Sequence, residues 1–271
     1  MQHAHLYDHK SGLIWFSCLL CYRHRNFKPE SAKVLWEDMA MNLLLALLLV
    51  YSCNADVQDL TGKLMSFSGD ASYAELYTSK EVDRATVCLR FRTENNHKQC
   101  LFSLALNPET HALQMIREKG DFSVEIGFGY KRFRDMFADK ANEWNSMCMT
   151  LNTKTDHAGV GLVQMWVNEM RSLRKAVTVS DKISSSLRLK MDLGKRRPFY
   201  KGETPGSSNY IPYLGEVKDV HVWDSILSPC EIKTFIDYKE GCNATFTPGN
   251  VINWKALNFS TDGTEVGIKQ A

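Results

Sequence analysis

Between positions 192 and 203 the chain sets Lys195, Arg196, Arg197 and Lys201 against two carboxylates, Asp192 and Glu203. Guanidinium forks take phosphate and sulfate oxygens through paired hydrogen bonds, and a lysine adds a point charge. The stretch is therefore a candidate for direct binding of anionic groups. Charge runs more often simply solvate a surface loop, and that plainer reading stands beside the first. Lys131, Arg132 and Arg134 form a second basic cluster open to the same two readings.

Cysteine is the other reactive type. Cys88, Cys100, Cys148, Cys230 and Cys242 lie after residue 55. In an oxidising compartment thiols pair, and an odd number leaves one over or links it to another chain. Cys230 and Cys242 flank a predicted helix, where a bridge would pin the helix to its exit loop. Cys18-x-x-Cys21 has a metal or redox spacing but falls in a segment expected to be removed. His111 and His221 each stand alone in sequence, which argues against a histidine metal site. Trp223 and Trp254 read as packing residues. The chain has no Gly-x-Ser-x-Gly elbow, no His-Glu-x-x-His helix and no phosphate-binding glycine loop. Nor does a dense carboxylate pair suggest glycan cleavage. These residues describe a binder, not an enzyme.

The surrounding chain must hold those groups in place. Of 271 residues, 44% are hydrophobic and 24% charged, enough apolar material for one large core. The net charge of +2 is too small to draw in nucleic acid or an anionic membrane by itself. Leu43 to Val50 is an almost pure apolar run, followed by the small-residue pattern Cys53-Asn54-Ala55 and polar Asp56. That is the layout of a secretory signal peptide, and the run is far short of the ~20 residues that cross a bilayer. Met41 stands just before it as a natural start. Residues 1–55 are thus expected to be an upstream extension plus a signal peptide, and 56–271 a single secreted, extracellular domain. Asn243-Ala-Thr and Asn258-Phe-Ser are acceptor sequences for N-glycans, which suits a secreted glycoprotein.

Within 56–271 the apolar period is mostly two. Val87-Leu89-Phe91, Phe122-Val124-Ile126, Val163-Met165-Val167 and Val220-Val222 each mark one face of a strand. Turn clusters such as Asn107-Pro108 and Pro205 to Asn209 separate the runs, so the pattern predicts an all-β antiparallel sandwich or jelly roll. One helix interrupts it. Ser228-Pro229-Cys230-Glu231 is a capping box with proline at the first helical position. Ile232, Phe235 and Ile236 then form its apolar stripe, and Gly241 is its expected stop.

The run Leu214-Gly-Glu-Val-Lys-Asp-Val-His-Val-Trp-Asp-Ser-Ile-Leu-Ser-Pro229 resembles the late strand and helix entry of the pentraxin family. Pro248-Gly-Asn-Val-Ile-Asn-Trp-Lys-Ala-Leu257 resembles that family's C-terminal segment, and Leu60-Thr-Gly-Lys63 its start. The family signature around the second cysteine survives in Cys148, Thr150 and Thr153, with Ser146 and Leu151 departing from it. The resemblance implies a two-sheet, lectin-like jelly roll with one helix, a Cys88–Cys148 disulfide, and a cyclic homo-oligomer, usually a pentamer. Cys100 is then the leftover thiol, either a buried small apolar residue or an interchain link.

The resemblance also implies calcium-dependent recognition of phosphocholine-like or other anionic surface ligands, as in acute-phase, innate-immune recognition. Carried over by position, the calcium ligands fall on Thr110, His111 and Asp192, with Glu203 available only to a re-threaded loop. Those four offer two carboxylates and a hydroxyl where calcium takes six to eight oxygens. Lys195, Arg196, Arg197 and Lys201 occupy the acidic loop's place. Two alternatives to the calcium-dependent reading follow. One is calcium-independent binding of anions through that basic stretch; the other is a structural or partner-binding role without ligand.

Overall fold

A computed structural model describes residues 57–69, 72–78, 80, 82, 84–107, 110–119, 121–126, 129–133, 139–153, 155, 157, 159–178, 190–194, 211–238, 245–262 and 266–271. The expected extension and signal peptide lie outside the described residues.

Alternation builds the sandwich. In β3 (Arg84–Arg92), Ala85, Val87, Leu89 and Phe91 enter the main core, while Thr86, Cys88 and Arg90 face the other way. Its antiparallel neighbours are β8 (Asn145–Asn152) and β13 (Gly215–Trp223). The sheet continues through β9 (Val160–Val167) to β10 (Met170–Arg171) on one side, and through β1 (Lys63–Phe67) to β16 (Val266–Gln270) on the other. Two short strands, β11 (Lys175–Thr178) on β9 and β14 (Ile252–Asn253) on β13, bring it to nine.

The second sheet has seven strands. Its order is β15 (Phe259–Asp262), β2 (Tyr73–Tyr77), β12 (Lys190–Leu193), β4 (Gln99–Asn107), β5 (Thr110–Glu118), β6 (Asp121–Ile126) and β7 (Gly129–Phe133). One apolar cluster joins the two sheets. It includes Leu89 and Phe91 from the first, and Leu76, Phe102, Met115, Phe122 and Met191 from the second. The antiparallel sandwich expected from the periodicity is present, and each apolar alternation quoted above falls on an observed strand, although two of the strands end one residue earlier than the pattern suggested.

β13 departs from simple alternation. Asp219 takes a left-handed φ of 52°, and the register against β3 shifts between Lys218 and His221. This bulge turns Val220 and Val222 into the core and sends His221 and Trp223 outward. At the start of the same strand, Gly215 has φ 149°, and a Cβ there would collide with the carbonyl oxygen of Arg92. Only glycine permits that approach.

The outward face of the nine-stranded sheet is covered by α1 (Pro229–Asp237). The capping box read from the sequence is formed: Ser228 N donates to Glu231 Oε2 at 2.7 Å, and Glu231 N to Ser228 Oγ at 3.3 Å. Ile232 and Phe235 are fully buried against Trp166, Trp223 and a disulfide between Cys88 and Cys148, which face each other across β3 and β8. The helix stops at Asp237, short of Gly241, which lies outside the described residues. Arg90 holds its end. Nη2 donates to the carbonyls of Phe235 at 2.7 Å and Tyr238 at 2.6 Å, Nη1 donates to Ser146 Oγ at 3.0 Å, and Nε lies 3.0 Å from Asp219. A guanidinium at a helix C-terminus satisfies the last carbonyls and opposes the negative end of the dipole.

Candidate functional site

The seven-stranded sheet carries a different outward face. Leu76, Met191, Leu104, Leu113 and Val124 point into the core, so their strand neighbours point away from it. Registers align those neighbours in one row. Ser260 of β15 pairs with Glu75 of β2, and Glu75 with Asp192 of β12. Asp192 then pairs with Ser103 of β4, Ser103 with Gln114 of β5, and Gln114 with Glu125 of β6. The row thus holds three carboxylates, an amide and two hydroxyls. Asp192, Ser103 and Gln114 have no exposed surface. Tyr77 Oη bonds to Glu75 Oε2 at 2.9 Å and lies 2.7 Å from Ser260 Oγ, while Lys98 Nζ lies 3.8 Å from Glu125.

Beside the row, Cys100, Ile116 and Ile211 form a small apolar cluster on the same face. Cys100 is a fully buried thiol whose Sγ is 3.6 Å from the carbonyl oxygen of Phe102, so it behaves as a small core residue. Ile211 gets there because Tyr213 N donates to the carbonyl of Gly194 at 2.9 Å. That bond ties the two roots of segment 195–210 together at the rim of this face. Tyr213 is itself fixed, its hydroxyl donating toward the carbonyls of Arg92 at 2.8 Å and Glu216 at 2.9 Å. Burial pushes its phenol well above the usual range, so it stays protonated.

The residues singled out from the sequence are distributed as follows. Asp192 lies inside the ladder of β12 and not in a loop, two residues before Gly194. Thr110 and His111 open β5, paired with Asn107 and Ala105. Lys195, Arg196, Arg197, Lys201, Glu203, Arg134, Cys242 and Asn243 lie outside the described residues. Cys230 is an exposed free thiol in the first turn of α1. Asn258 is half-buried, with its carbonyl accepting from Tyr77 N at 2.9 Å. Arg132 of the second basic cluster is engaged by Glu118 at 2.9 Å and Asp121 at 3.5 Å, which ties it into the sheet. Trp223 and Trp254 pack in the interior as expected.

Glu75, Ser103, Gln114 and Glu125 were not legible as a site. Each is a polar residue at an alternate position of a strand, but only cross-strand register makes them neighbours.

The donors at the expected calcium positions do not fit that ion. Among the described residues no group of three or more His, Cys, Asp and Glu side chains is arranged to hold a metal. Asp192 is sealed in a strand, and the Thr110-His111 pair brings no carboxylate. Calcium requires six to eight oxygens, several of them charged.

A two-sheet antiparallel sandwich with one helix docked outside, and a polar row on the opposite outer face, is the build of a lectin-like jelly-roll domain. The family model described as the Pentaxin family matches residues 64–269. C-reactive protein of Sus scrofa is 31% identical over 238 residues, covering 84% of this chain and 96% of that protein. Serum amyloid P-component of Mesocricetus auratus is 27% identical over 219 residues, covering 77% and 83%. Among solved structures, a native heptameric SAP-like pentraxin from Limulus polyphemus superposes with a TM-score of 0.59 at 17% identity, over 79% of this chain and 97% of that one. The chain belongs to the pentraxin family, a family of recognition proteins and not of enzymes.

Proposed function

We propose that this chain is a secreted pattern-recognition protein that binds phosphate-bearing or other anionic surface ligands through the basic stretch Lys195, Arg196, Arg197 and Lys201, without requiring calcium. The observation that carries this reading is the bond between Tyr213 N and the Gly194 carbonyl. It brings Gly194 and Tyr213, described residues on either side of the stretch that carries Lys195, Arg196, Arg197 and Lys201, together at the rim of the seven-stranded sheet. Oxygens able to bind calcium are scarce at the family's ligand positions here, and basic residues occupy the acidic loop's place in the sequence. Guanidinium groups can make directly the phosphate contacts that a metal ion would otherwise make.

The test uses the secreted protein on immobilised phosphocholine and immobilised heparin, with and without EDTA. Binding is expected to survive EDTA, to weaken as salt screens the charges, and to fall when Arg196 and Arg197 are both changed to Gln. Calorimetric titration with calcium is expected to show no two-ion binding. Retention that requires calcium, or that ignores the double substitution, overturns the reading and restores the family's calcium-dependent mode.

Assembly into a closed ring of identical subunits is part of the same proposal, because weak sites repeated on a ring gain avidity. The heptameric relative supports it. So do exposed apolar residues at both ends of the nine-stranded sheet: Met170 and Leu173 near β10, and Ile268 on β16. Opposite edges of one sheet suit a head-to-tail interface. Leu173→Asp is expected to shift sedimentation toward smaller species; an unchanged profile would remove that edge from the interface.

A further inference from the structure

On the far side of the molecule, a cavity of about 450 Å³ opens between α1 and the segment 245–250. Its apolar wall comes from Trp223, Phe235, Phe246, Leu227 and Pro248. Its rim is hydroxylic: Ser225, Thr234, Thr245 and Thr247, with Glu231 and Asn250. Among the described residues, the side-chain hydroxyls of Ser225, Thr245 and Thr247 have no hydrogen-bond partner. Glu231 has one oxygen occupied by Ser228 N, which holds its carboxyl below the usual range and keeps it ionised. The described lining contains no lysine, arginine or histidine.

The walls are fixed before any ligand arrives. Thr86 Oγ1 donates to the Ser225 carbonyl at 2.7 Å and accepts from Leu227 N at 3.0 Å. Asp224 and Asn250 exchange hydrogen bonds of 3.1 and 2.7 Å, which ties the two sides together. Behind the wall lie the disulfide, Trp166 and His221. Pre-formed pockets with an apolar floor and a few placed polar groups are the ordinary design of a small-ligand site.

We infer that this cavity binds an uncharged saccharide unit. A pyranose presents a C–H face to stack on rings such as Phe246, and its hydroxyls pair with free threonine and serine hydroxyls and with a carboxylate oxygen. A described lining without lysine, arginine or histidine disfavours phosphate and sulfate, so the site differs in chemistry from the anionic one proposed above. The sugar has two possible sources. Thr245 is the third residue of the Asn243-Ala-Thr acceptor sequence, so an N-glycan carried there would start two residues away in the chain; a glycan on another surface is the other source.

The experiment is saturation-transfer NMR on the secreted full-length protein in EDTA, before and after enzymatic removal of N-glycans. The probes are methyl N-acetyl-β-glucosaminide and methyl β-galactoside. Transfer to at least one glycoside is expected. Affinity should fall about tenfold or more in Thr234→Arg and in Thr247→Arg, the scale of one or two lost hydroxyl contacts. Both residues are exposed, so unfolding midpoints of the variants should match the parent. Transfer before and after glycan removal identifies an external glycan as the ligand; transfer only after removal identifies the chain's own. No transfer in either arm, transfer unaffected by both substitutions, or displacement of the glycosides by choline chloride overturns the assignment.

Discussion

On the nine-stranded sheet the outward positions of β3, β8 and β13 hold Cys88, Cys148, His221 and Trp223. On the seven-stranded sheet those of β2, β12, β4, β5 and β6 hold Glu75, Asp192, Ser103, Gln114 and Glu125. Both faces arise from the same two-residue alternation. The first has been made into a second small core under α1, crossed by a disulfide and packed with rings. His221, Phe235 and Phe246 meet there at centroid distances of 4.9 to 6.2 Å. The second keeps polar groups in a row beside the roots of the basic segment. The two outer faces of one sandwich therefore differ in kind, one a helix-covered apolar cluster with a cavity at its margin and the other a row of polar side chains.

The comparison predicts unequal responses to substitution. The largest belongs to Phe235→Ala, which removes a fully buried ring from under the helix and should cost about 3–5 kcal/mol, read by urea unfolding. A cost near zero would mean that α1 is a loose cover and that the small core is not one.

The next effect depends on pH. Burial, followed by the charges of Lys255 and Arg90, pulls the His221 imidazole from 6.5 down to about 3, and its Nδ1 accepts from Gly249 N at 3.2 Å. The folded chain therefore keeps this ring neutral where the unfolded chain takes up a proton. Its contribution to stability is complete above pH 6.5 and is lost as pH falls toward 3, at about 1.4 kcal/mol per unit. Unfolding free energies measured from pH 7 to pH 4 should show that slope, and His221→Phe should flatten it. If the slope persists in the variant, the acid sensitivity lies elsewhere.

The smallest effect is expected on the polar face. Ser103 Oγ is buried without a hydrogen-bond partner, so Ser103→Ala removes an unsatisfied group and should leave stability within about 0.5 kcal/mol or raise it slightly. A marked loss would show that the row is a connected network and that the two faces are equally structural.

Much of this was legible along the chain. Val87-Leu89-Phe91 and Val163-Met165-Val167 announce strands because a pleated backbone sends successive side chains to opposite faces, whatever the partner strand is. Ser228-Pro-Cys-Glu231 announces a helix start because its hydrogen bonds close within four residues. Segment resemblance implied the Cys88–Cys148 bridge. Asp192 was legible as a carboxylate beside a basic stretch and, by resemblance, as an expected calcium ligand, but its sealed position in β12 was not.

What the sequence determined is local: where strands alternate, where the helix is capped, which residue types could meet an anion. What tertiary structure decided is adjacency. Glu75, Asp192, Ser103, Gln114 and Glu125 come from five strands spread over more than a hundred positions, and only antiparallel register makes them one row. The bulge at Asp219 decides that His221 and Trp223 face the helix instead of the core, because one inserted residue reverses every later side chain. Register and bulges are settled by the best packing of both sheets at once, a property of the whole core that no single segment carries.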